Sequence, residues 1–89
     1  MQILCTPTYE IQLKQILKKF ILEDFEATKK FKLYLDTILI NIPTKAHKYK
    51  CSPLFNDENI KEIPHELYNV IFYEDKANNN YLILGILEK

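Results

Sequence analysis

The 89-residue sequence predicts an α+β domain: an N-terminal strand, an antiparallel two-helix hairpin, then three antiparallel strands forming a small twisted sheet. Three observations lead there. Apolar residues recur twice at the three-and-four spacing of a helical face, with only a few residues between the two stretches. After residue 58 the apolar residues become β-branched and aromatic and come in short runs. Those runs are joined too tightly for anything but antiparallel pairing. A chain of this length makes one domain, residues 1–89, burying roughly 60–65% of the surface its unfolded chain exposes.

The elements follow in order. "QILCT" is a short apolar run ending at Thr6 and Pro7, a pair suited to the N-cap and first position of a helix. Leu13, Ile16, Leu17, Phe20 and Ile21 then share a helical face, predicting a helix from about Pro7 to Leu22. Asp24 is the N-cap expected for a second helix, whose stripe of Phe31, Tyr34, Leu35, Ile38, Leu39 and Ile42 runs until Pro43 stops it. The short join around Glu23 folds the two helices into a hairpin. Residues 44–58 show neither period and hold Lys45, Lys48 and Lys50, so they read as a basic loop. A strand is expected at about 59–63, with Pro64 at its end or at a bulge, because proline cannot donate to a central ladder. Tyr68–Glu74 and Tyr81–Leu87 make the strongest hairpin, turned by "DKANNN".

Composition excludes some classes of function. An apolar fraction of 47% with 27% charged residues belongs to a folded domain. Twelve basic and twelve acidic residues balance to zero, so no global field draws the chain to nucleic acid. Every basic residue is lysine, a point charge without the phosphate-gripping fork of arginine. Cys5 and Cys51 lack zinc-site spacing and read as reduced, small apolar residues, and no metal or cofactor is expected. No run is long enough to cross a membrane and the start lacks signal-peptide character, so a cytoplasmic protein is expected.

Both faces of the last hairpin are apolar. By strict alternation Val70 and Phe72 oppose Ile71 and Tyr73, and Leu82, Leu84 and Ile86 oppose Tyr81, Ile83 and Leu87. One helical hairpin covers one face, leaving the other either for residues 44–58 to fold over or for a second chain.

The order of elements, the hairpin ending in "INIP", the stretch "KYKCSPLFNDENIKEI", the strand "LYNVIFYED" and the final "YLILGIL" together resemble the RelE/ParE superfamily, toxins of bacterial type II toxin-antitoxin pairs. In its motif the positions of Lys50, Ser52, Phe55, Ile60 and Lys61 are similar to the family's basic residue, serine, phenylalanine and Ile-Arg pair. The resemblance implies a partner, a cognate antitoxin with an amphipathic C-terminal segment, laid on the uncovered face at Ile71, Tyr73, Tyr81, Ile83 and Leu87. A homodimer or a heterotetramer with the antitoxin is a further expectation. ParE-like members inhibit DNA gyrase without a hydrolytic site, which here implies target contacts through Lys48, Lys50 and Lys61. RelE-like members cleave messenger RNA on the ribosome, and a nuclease of that kind would draw on Lys50, Lys61, His47, His65 and Tyr68. Lysine or asparagine in place of arginine at Lys50, Lys61 and Asn69, and a neutral chain, favour the gyrase-directed branch. A non-toxic member that keeps only antitoxin binding is the third alternative.

Overall fold

The computed structural model describes residues 2–89. Strands β1 (Gln2–Cys5), β2 (Lys50–Cys51), β3 (Ile60–His65), β4 (Tyr68–Asp75) and β5 (Asn80–Glu88) form one sheet in the order β1-β5-β4-β3-β2. Helices α1 (Pro7–Ile21) and α2 (Phe25–Ile40) form the hairpin, followed by a single-turn α3 (Ile42–Lys45) and a 3-10 turn at Ala46–Lys48. The hairpin carries the chain from β1 at one edge to β2 at the other. The antiparallel meander then walks back, so β5 meets β1 in parallel.

Capping chemistry sets the helix starts. Thr6 Oγ1 accepts from the Tyr9 N–H at 3.2 Å and donates to the Ile83 carbonyl at 2.8 Å, so one hydroxyl both caps α1 and ties it to β5. Asp24 Oδ1 accepts from the Ala27 N–H at 3.1 Å, capping α2 as expected. The hairpin buries Tyr9, Leu13 and Ile16 from α1 and Phe31, Leu35 and Leu39 from α2 against the sheet. Ile21 and Tyr34, which the spacing assigns to the buried stripes, are half or more exposed at 50% and 57%.

The join to β2 differs from the expectation. α2 ends at Ile40, one turn before Pro43, which occupies the first turn of α3 instead of stopping α2. Residues 44–58 are not one loop. Part of them forms the end of α3, the 3-10 turn and β2, because Ile42 and Ala46 are drawn into the core beneath.

The strands run longer than their apolar patterns. Pro64 lies inside β3, opposite Asn69 and exposed. A two-residue connection, Glu66–Leu67, turns β3 into β4 with Glu66 at φ 54°. Asn79, at φ 57°, closes the turn before β5, the conformation asparagine tolerates best among residues with a Cβ.

One irregularity governs the faces. Phe72 pairs with Ile83, yet Ile71 pairs with Gly85, so β5 holds one residue more than β4 at this point. Tyr81, Ile83 and Ile86 therefore all belong to the helix-covered core with Val70 and Phe72. The chain's one glycine sits at this bulge. A Cβ at Gly85 would stand 2.7 Å from Gln12 Oε1, the oxygen that accepts from the Ile86 N–H at 2.9 Å. Glycine thus makes room for an α1 side chain to satisfy a strand donor that has no neighbouring strand.

Candidate functional site

The second face of the sheet is built from cross-strand neighbours. Leu4, Leu82, Tyr73 and Ile60 stand in register on β1, β5, β4 and β3, a single apolar row across four strands. Leu4 is 42% exposed and Leu87 37%, while Tyr73, Leu82 and Ile60 are half-buried. α3 and the 3-10 turn contribute Ile42 and Ala46 to the helix side of the sheet, so they do not cover this row.

Of the five residues expected on that face, Tyr73 and Leu87 are available on it. Tyr81 and Ile83 are not: they are 3% and 0% exposed in the core, because antiparallel partners share a face and theirs are Glu74 and Phe72. Alternation groups Leu87 with Ile83, and the bulge between them separates the two. Ile71 does lie opposite Phe72, but at 3% exposure it supports the face from beneath rather than offering a contact. Leu82 takes the place assigned to Tyr81.

The basic residues divide as well. Lys48 and Lys50 line a shallow depression of about 390 Å³ with Tyr49, Glu62, Pro64 and Asn69. Lys61 lies apart from them. It pairs with Phe72, and its half-buried Nζ donates to the Ala46 carbonyl at 3.1 Å, anchoring the 3-10 turn to β3. Ser52 is structural too: buried, it donates to Glu62 Oε2 at 3.1 Å and accepts from the Leu54 N–H at 3.3 Å.

Of the residues of the nuclease alternative, only His65 and Tyr68 come together, as paired neighbours on β3 and β4. His65 and Lys61 are four positions apart on one strand, about 13 Å. His65 is buried at 8% exposure with its ring centroid 4.8 Å from that of Phe31, while Tyr68 lies between Phe20 and Phe31 at centroid distances of 6.3 and 5.8 Å. Burial, and then Glu88, push the Tyr68 phenol above its ordinary range, away from the neutral region a proton-transfer group needs. His47 is exposed on the 3-10 turn. Among the described residues no cluster of three His, Cys, Asp or Glu side chains could hold a metal, and no helix is long and apolar enough to cross a membrane.

A surface that the stripes did not foretell runs along the outside of the helical hairpin. One end is a hollow of about 620 Å³ whose apolar lining is Leu17, Ile21, Phe25 and Leu33. The other, about 500 Å³, opens between Cys5, Tyr9 and Glu10, and both hollows share Leu17, Lys32 and Asp36. Its trace in the sequence is the apolar residues off the main stripes: Phe25 is 58% and Leu33 64% exposed. Tyr9, a lining residue only 2% exposed, has a buried hydroxyl without a hydrogen-bond partner. Burial, with Cys5 and Asp36 adding to it, raises that phenol far above its ordinary pKa near 10.

No protein-family model and no curated protein sequence matches the chain. Among solved structures it is similar to a chain described as "Chromosomal ParDE TA system from P. aeruginosa", with a TM-score of 0.78 at 14% identity. The likeness covers 99% of this chain and 95% of that one. The β-α-α-β-β-β arrangement, interrupted only by α3 and the two-residue β2, is thus a ParE-like fold over its whole length.

Proposed function

We propose that this chain is the toxin of a toxin-antitoxin pair of the ParE-like kind, a non-enzymatic inhibitor that binds DNA gyrase and is neutralised by a small cognate antitoxin. The observation that carries the reading is the full-length fold likeness to a chain of a ParDE toxin-antitoxin system. The split of the acid-base candidates supports it over RNA cleavage, since His65 and Tyr68 are committed to the core and Lys61 to the Ala46 carbonyl. The antitoxin covers apolar surface at Tyr73, Leu82 and Leu87, and Lys48 and Lys50 are left to meet the target. Both proteins act in the cytoplasm.

The deciding experiment is supercoiling by purified gyrase with and without the purified chain. Inhibition that rises with the chain's concentration and is relieved by the protein encoded beside it is the expected result. Normal supercoiling at saturating protein refutes the gyrase reading. New transcript ends on expression would move the assignment to the ribosome-dependent nuclease.

A further inference from the structure

Beneath the tip of the helical hairpin, where α1 gives way to α2, the sheet ends in a nest of rings. His65 on β3 pairs with Tyr68 on β4, and Phe20 and Phe31 descend on them from the two helices. Phe20, Phe31 and Tyr68 meet edge to face, the arrangement aromatic pairs favour. His65 differs in kind from its neighbours. The residue is 8% exposed, its ring centroid is 4.8 Å from that of Phe31, and its Nε2 is buried without a hydrogen-bond partner. The ring is accommodated as an apolar group, since an added proton would bring charge into a nest that holds no acceptor for it.

The titratable groups near His65 stand around the nest rather than in it. Glu88 pairs with Tyr68 from β5, and Lys19 of α1 lines a depression with both. Glu23 and Asp24 from the helix join and Glu66 from the β3–β4 turn line a hollow of about 240 Å³ with Phe20, Ala27 and Phe31. The hollow adjoins the histidine: Phe31 borders both, and Glu66 is the next residue in the chain. Asp24 is occupied in capping α2, whereas among the described residues Glu23 and Glu66 have no ion-pair partner. The elements that meet here are held weakly at their ends. Leu22 in the helix join is 89% exposed, and the turn after His65 carries the positive φ of Glu66.

We propose that His65 is an acid-operated latch between the sheet and the tip of the helical hairpin. The neutral ring packs under Phe31 and the tip stays closed. On taking a proton the ring moves into the hollow, where the Glu23 and Glu66 carboxylates accept from its N–H groups, and Phe20 and Phe31 lose their seat on the sheet. The open form offers carboxylates to the charged ring and the closed form offers Nε2 no acceptor, so closure weakens as pH falls. Opening would uncover the aromatic nest while the strands β4 and β5 stay paired.

The test is amide exchange of the full chain across the range in which histidine changes charge. From about pH 7.5 to about pH 5, with the intrinsic rate divided out, protection at Phe20 and Phe31 should fall about tenfold or more while Val70 and Phe72 keep theirs. His65→Phe keeps a ring in the nest without a titrating group, and its tip protection should be the same at both pH values. His47→Gln, which changes the chain's other histidine, should leave the fall whole. Glu23→Gln with Glu66→Gln should cut it to about threefold or less, because the charged ring loses its receivers. Wild-type protection that does not change overturns the proposal, as does a fall that persists in His65→Phe. Should His65→Phe not fold, the other proteins decide: a fall untouched by the glutamine pair, or an equal fall at Val70, overturns the latch. None of these readings involves gyrase or an antitoxin, so the latch and the proposed function fail separately.

Discussion

Single residues carry stored cost, Glu66 and Tyr9 among them. Glu66 holds φ 54° in the two-residue turn, a region that costs a residue with a Cβ about 1 kcal/mol. Glu66→Gly should therefore be neutral to stabilising by about 0.5 kcal/mol in urea unfolding, the relief of strain offsetting or slightly exceeding the added chain entropy. The buried, unpartnered hydroxyl of Tyr9 is the second. Tyr9→Phe should be neutral or stabilising by about 1 kcal/mol, since it removes an unsatisfied group and keeps the ring. The pH dependence has a definite sign. Because burial raises the Tyr9 pKa in the folded state, the unfolded chain loses its proton first, and stability falls as pH rises above the ordinary value near 10. Melting temperature should be flat in that respect below pH 10 and decline above it, less steeply in Tyr9→Phe. Burial raises Tyr49, Tyr68 and Tyr81 in the same direction, so part of the alkaline decline survives the substitution.

At the scale of elements, α1 and β5 are held together by side chains that substitute for a missing strand. Thr6 takes the Ile83 carbonyl and Gln12 the Ile86 N–H, while Gly85 clears the path for Gln12. Gly85→Ala would push Gln12 aside without touching backbone, so its cost is that of the lost hydrogen bond, about 1–3 kcal/mol. Gln12→Ala should cost about the same, and the double variant little more than either, a coupling that a double-mutant cycle in urea would measure. Additive losses would mean that Gly85 is required for some other reason. Lys61 is a similar tie between β3 and the 3-10 turn. Lys61→Met should loosen that turn, seen as faster amide exchange at Tyr49, whose N–H bonds to Ala46.

For the whole molecule, the division of the sheet into a covered and an open face decides what is core and what is surface. Ile83→Ala should cost about 2–5 kcal/mol, as expected of a fully buried aliphatic residue, whereas Leu87→Ala should stay within about 0.5 kcal/mol. Equal costs in urea unfolding would restore the alternation that places both on one face. Leu87→Lys should leave the fold intact and reduce binding of an apolar dye, as removal of part of an exposed patch would.

Much of this architecture is legible in the residues. Thr6-Pro7 and Asp24 announce both helix starts through capping chemistry that is local in the chain, and the stripes of α1 and α2 locate most of the core because a helix repeats its face every three or four residues. The aromatic and β-branched runs mark β4 and β5 for the same local reason. Which face each β5 residue occupies is not local. It depends on the partner opposite and on one extra residue at the bulge, whose only trace in the sequence is a solitary glycine. Lys61 reads as a free cation because sequence cannot show the Ala46 carbonyl, fifteen positions away, coming within 3.1 Å of its amine. The sequence by itself determined the two long helices and the strands β1, β3, β4 and β5, because periodicity and capping act over a few residues, but not the short elements between Ile42 and Cys51. Only the tertiary structure decided which apolar residues are left exposed, because register, bulge and edge exist only between segments that are distant in the chain.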